Sequence, residues 1–143
     1  MGTGTRSRLH RLAAVFALAL SLAACSSLAA STGTKEDQLT AVTHSQVQTA
    51  RLAAEAGLED PPAPAVTLTV VLDDARTELV GTQEDLAKLP GDHEDLAGLV
   101  EDAIALVDRT ATAIEDGDRP ALREALRQAE ALATALEDRS EKL

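Results

Sequence analysis

From Thr34 onward, apolar residues recur every three to four positions, and the recurrence is broken at Pro61-Pro62-Ala63-Pro64, at Pro90-Gly91-Asp92 and at Asp116-Gly117-Asp118. A period near 3.6 specifies helices that each bury one stripe, and each break carries residues that end a helix for a physical reason. Proline lacks the N–H that a helix interior needs, and glycine takes the left-handed conformation found just past a helix end. The spacing predicts four helices, about 35–57, 65–89, 94–115 and 119–140. Connections this short set consecutive helices antiparallel. The expected fold class is all-α, a small up-and-down helical bundle of three to four helices.

The first helix opens on Thr34 with Asp37 three residues later, a capping-box spacing, and its stripe runs through Leu39, Val42, Gln46, Ala50 and Ala53. That stripe is the weakest of the four, so this helix is expected to be the looser arm of the bundle. The second carries Leu68, Leu72, Ala75, Leu79, Leu86 and Leu89. Its start, Val66-Thr67-Leu68-Thr69-Val70, alternates and is β-branched, which taken alone suggests a strand. A helix is preferred because no second strand is visible to pair its backbone. The third presents Leu96, Val100, Ala103, Val107, Ala111 and Ile114 after a cap at Asp92 or His93. The fourth follows Asp118 as cap, tolerates Pro120 in its first turn, and carries Leu122, Leu126, Ala129, Ala133 and Leu136. Its early arginines are expected to pack against the acidic helices.

Ahead of these helices lie Arg6, Arg8, His10 and Arg11, an uncharged run from Leu12 to Ala24, and the single cysteine of the chain, Cys25. A basic start, a short apolar run and small residues are the parts of a secretory signal. This run is too short to cross a hydrocarbon core about 30 Å thick. The segment Leu22-Ala23-Ala24-Cys25 resembles the lipobox of bacterial lipoproteins. The resemblance implies cleavage between Ala24 and Cys25, transfer of diacylglycerol to the cysteine sulfur, and retention at a membrane by two or three acyl chains such as palmitate. One acyl chain alone binds only marginally. The bland readings of Cys25 are a free thiol left after ordinary cleavage, or a buried cysteine in an uncleaved helix. Residues 25–33, small and mostly polar, suit a flexible tether between lipid and folded domain. The expected organisation is thus a signal peptide at 1–24, a tether at 25–33 and a helical domain at 34–143.

Cleavage would leave 119 residues with a formal charge of -14, against -11 for the full 143. It would also remove Phe16 and Met1, the only aromatic residue and the only methionine. The core must then be built from Leu, Val, Ile and Ala. Sugar platforms, cages for quaternary amines and base-stacking surfaces all require aromatic faces, so those ligand classes are disfavoured. Nucleic acid is disfavoured as a partner by the acidity. Residues 73–118 hold fourteen acids against Arg76, Lys88 and Arg109. Such a face repels anionic lipid headgroups and leaves anchoring to the tether.

Asp92-His93-Glu94-Asp95 is the densest set of candidate metal ligands, and it sits at a turn. The competing reading is preferred, because acids in a first helical turn complement the dipole and cap free N–H groups. His44, the other histidine after Cys25, approaches His93 only if the two helix ends are neighbours. Zinc spacing with two histidines on one helix and the Glu-x-x-His spacing of di-iron bundles are absent from the sequence. Asp116-Gly117-Asp118 fails as a calcium loop, since Ala121 stands where glycine is required. Adjacent acids such as Asp73-Asp74, Glu84-Asp85 and Glu101-Asp102 point about 100° apart on a helix and read as solvated faces. No serine sits in a glycine-flanked elbow, and no phosphate-cradling glycine loop occurs. The chain is therefore expected to be a non-enzymatic lipoprotein without a cofactor. It would be held on the extracytoplasmic side of the cell membrane, or of an outer membrane if the host has one. There its acidic bundle would contact an envelope protein. An envelope cation-binding protein using the acids of 73–118 and His93 is the alternative.

Overall fold

The computed structural model describes residues 34–141; the expected signal peptide and tether lie outside the described residues. Four helices follow in order, α1 (Lys35–Leu58), α2 (Ala65–Leu86), α3 (Glu94–Asp116) and α4 (Arg119–Ser140). They form an up-and-down bundle, and the described residues contain no strand. Residues 66–70 are helical. The strand-like alternation there is overridden because Leu68 and Leu72, four apart, both reach the core.

Local chemistry sets the helix ends. At α1 the Thr34 hydroxyl accepts from the Asp37 N–H at 3.2 Å, while the Asp37 carboxylate accepts from the Thr34 N–H at 2.6 Å, completing the capping box. At the far end Arg119 Nη2 donates to the Leu58 carbonyl at 2.7 Å, satisfying an acceptor that the helix itself leaves open. Between α3 and α4, Gly117 adopts φ 65° and closes α3, and the Asp118 carboxylate accepts from the Ala121 N–H at 2.9 Å to open α4. The helix α2 ends at Leu86, earlier than the expected boundary near 89. Lys88 N–H bonds to the Asp85 carbonyl and Leu89 N–H to that of Leu86, a tighter winding ahead of Pro90. Leu89 still packs on the core, which is why the apolar period outruns the helix.

The core consists of Leu, Val, Ile and Ala with four buried threonines. Thr40, Thr43, Thr82 and Thr110 each donate to the carbonyl four residues earlier, so no buried hydroxyl there is stranded. Each helix packs against its neighbours in sequence, α1 packs against α4, and α1 also meets α3 across the bundle. No such contact joins α2 to α4. The cross-section is therefore a rhombus whose short diagonal is α1–α3.

The expectation that α1 is a looser arm is corrected by this arrangement, because α1 touches all three other helices. Its buried face is Leu39, Thr40, Thr43, Val47, Ala50, Ala53 and Ala54, while Val42 and Gln46 lie half-buried at the flanks. Small side chains bring helix axes close. A stripe that is weak in transfer free energy can thus be central in packing.

Candidate functional site

The up-and-down order brings the start of α1, the start of α3 and the end of α4 to one end of the bundle. There Glu36, in the first turn of α1, receives an ion pair from Arg139, in the last turn of α4. His93, which precedes α3, places Nδ1 3.3 Å from the other carboxylate oxygen of Glu36. Its Nε2 lies 3.2 Å from the Pro90 carbonyl, and its buried Nδ1 makes no hydrogen bond. Glu36 retains 18% of its side-chain exposure and His93 16%, so the group is a mostly buried polar clamp across three helices. Lys35 to Asp85 at 3.1 Å and His44 to Glu137 at 3.4 Å add exposed pairs from α1 to α2 and to α4.

The predicted metal-ligand candidates meet this clamp without forming a ligand shell. Asp92, His93, Glu94 and Asp95 line a cleft of about 140 Å³, and Arg139 is its fifth wall. Asp92 is engaged as a cap, its carboxylate accepting from the Glu94 N–H at 3.1 Å. His93 is turned toward Glu36 and Pro90. Among the described residues, no group of three or more His, Cys, Asp or Glu side chains is arranged to hold a metal ion. A guanidinium in the wall opposes a cation by charge, and Glu94 and Asp95 lie in the first turn of α3, where acids complement the helix dipole. His44 and His93 do not share a partner, the first facing Glu137 and the second Glu36.

Electrostatics elsewhere are local. Lys35 and Lys88, hydrogen-bonding to Asp85, hold its carboxyl below the ordinary carboxylate range. Arg127 and Gln128 do the same for Glu124. Of the early arginines of α4, expected to pack against the acidic helices, Arg119 and Arg127 find their polar partners elsewhere. Arg127 pairs with Glu124 on its own helix and Arg119 caps α1. The cross-helix pair on the acidic side is Arg76 to Asp108, from α2 to α3, at 2.9 Å.

The remaining openings are surface furrows between helices. One of about 400 Å³ lies along α3 and α4, flanked by Asp108, Asp116, Asp118 and Glu124. Another of about 360 Å³ follows the α2–α3 seam past Val70, Asp73, Asp108, Ala111 and Glu115. Beside the latter, at the end of the bundle opposite the clamp, Val66, Val70 and Val71 are 71%, 57% and 42% exposed. No described helix is long and apolar enough to cross a membrane.

No protein-family model, curated protein or solved structure matches this chain.

Cys25 and Ala24, the lipidation and cleavage positions expected from the lipobox, lie outside the described residues. Glu36 and Arg139 were not singled out by sequence reasoning. The signal was present, since a first-turn acid on α1 and a last-turn base on an antiparallel α4 fall at the same end. The exposed valines were legible too, as apolar residues off the Leu68-Leu72-Ala75-Leu79 stripe.

Proposed function

We propose that this chain is a non-enzymatic bacterial lipoprotein, acylated on Cys25 and held on the extracytoplasmic side of a membrane, whose acidic helical bundle serves as an envelope interaction module. The observation that carries the reading is the lone cysteine directly after Leu22-Ala23-Ala24, at the end of a short apolar run preceded by arginines. Two further features support it. The helical bundle begins at Thr34, nine residues after Cys25, a spacing that suits a short segment between a lipidated residue and a folded domain. The bundle surface offers open furrows and exposed apolar residues, which suit a macromolecular contact better than enclosure of a small substrate.

The test is intact-mass analysis of the full chain expressed in bacteria and extracted with detergent. The expected product lacks residues 1–24 and carries two or three acyl chains on Cys25, while Cys25→Ser remains unacylated and leaves the membrane fraction or keeps its leader. A parent chain with an unmodified thiol, or one retaining the leader, refutes the anchor.

A further inference from the structure

The fold leaves one sequence feature without a purpose, the β-branched start of α2. Valine lowers intrinsic helix stability relative to straight-chain residues, and Val66, Val70 and Val71, 42–71% exposed, recover only part of that through burial. Leu68 and Leu72 alone supply the core contacts of this segment. Val66 and Val70 stand one turn apart on the outward face, and Val71 lies on the adjoining flank. Val70 continues into the α2–α3 furrow, where Ala111 extends the apolar floor. The rim is acidic, with Asp73, Asp108 and Glu115, and its one base, Arg76, is already paired to Asp108.

We infer that the α2–α3 furrow with Val66 and Val70 is a docking surface for a basic amphipathic segment of another envelope protein. Such a segment would lay an apolar stripe over the valines and direct Lys or Arg toward the acids of the rim. This deepens the interaction reading above and rests on it. Charge decides among occupants. A second copy of this chain would bring Asp73 and Glu115 against their own kind, which costs contact energy and slows encounter. Anionic lipid is repelled by the same acids. A cationic, helix-forming polypeptide satisfies both the valines and the rim.

The test is photocrosslinking in intact cells, with the full chain carrying a photoreactive residue at Val70 and, as control, at Thr134 on the exposed face of α4. The expected result is an adduct from position 70, absent from 134, whose crosslinked peptide has excess Lys and Arg with apolar residues at helical spacing. Its yield should fall at least tenfold when Asp73→Lys and Glu115→Lys are introduced together, both exposed positions that leave the core intact. A homo-adduct, a lipid adduct, an adduct to an acidic or uncharged segment, no adduct, or insensitivity to the charge reversal each overturns the assignment. Mass analysis of Cys25 in the same cells separates the two ideas. Loss of acylation with the adduct retained defeats the anchor, and acylation without the adduct defeats only the docking surface.

Discussion

Replacing Glu36 by glutamine keeps its shape and removes the charge that holds Arg139. A buried ion pair broken from one side costs about 3–5 kcal/mol, because the surviving charge stays desolvated. A fully exposed pair is worth about 0–1 kcal/mol. Glu36 and Arg139 keep less than a fifth of their side-chain exposure, which places the clamp nearer the buried limit. Asp92 and Asp95 share a cleft with Arg139 and are available to take over part of the pairing, which lowers the cost. The expected destabilisation is about 2 kcal/mol, or about 10 °C in Tm for a domain of this size. Urea unfolding followed by circular dichroism measures it, and a double-mutant cycle with Arg139→Gln isolates the pair. The double variant should lose little more than either single one, giving a coupling of about 1–2 kcal/mol. Glu36→Gln within about 0.5 kcal/mol of the parent, the range of ordinary surface changes, would refute the view that the clamp is a buried network.

Three glycines give predictions of opposite sign. Gly81 and Gly98 lie inside helices with open space around an added Cβ, so Gly81→Ala and Gly98→Ala should each raise stability by about 0.5–1 kcal/mol; unfolding midpoints below the parent's refute this. Gly117, at φ 65°, should lose about 1 kcal/mol as Gly117→Ala despite equally open space, and a neutral result would mean the α3–α4 turn reshapes at no cost. Ala54→Leu should cost about 1–3 kcal/mol, since Ala54 is fully buried in the face of α1 that packs in the bundle; a stabilised variant would show slack in that packing. The depressed carboxyl of Asp85 contributes stability that is complete above about pH 4, the unfolded value, and is lost as pH falls through the lower folded value. Relief of net negative charge acts in the other direction, so the comparison is Asp85→Asn against parent at each pH. The gap between them should close on acidification, and a gap constant from pH 7 to pH 3 removes the linkage.

Helix content, all four helix starts and three of the four C-terminal ends were legible because they rest on local chemistry. The capping box at Thr34, Gly117 with Asp118, and the prolines act within a few residues of themselves. The end of α2 was misjudged for the same reason, since Leu89 serves the core from a turn and mimics a further helical position. The role of α1 was hidden because its importance lies in what its side chains lack. Ala50, Ala53 and Ala54 score poorly as a hydrophobic stripe, yet all three are buried in a helix that packs against the other three. At the site, Asp92 accepts from the Glu94 N–H as an acid at a helix start is expected to, while His93 lies against Pro90 and Glu36. The Glu36–Arg139 pair required the antiparallel order of distant helices before it became visible, being 103 residues apart.

The missing contact between α2 and α4 divides the bundle into parts with unequal freedom to change. Substitutions along the central α1–α3 pair are transmitted to every helix, so volume there is held fixed. The two outer corners answer only to their immediate neighbours, and their solvent faces can exchange residues without disturbing the rest. The solvent face of α2 can thus change over evolutionary time while the scaffold beneath it stays the same.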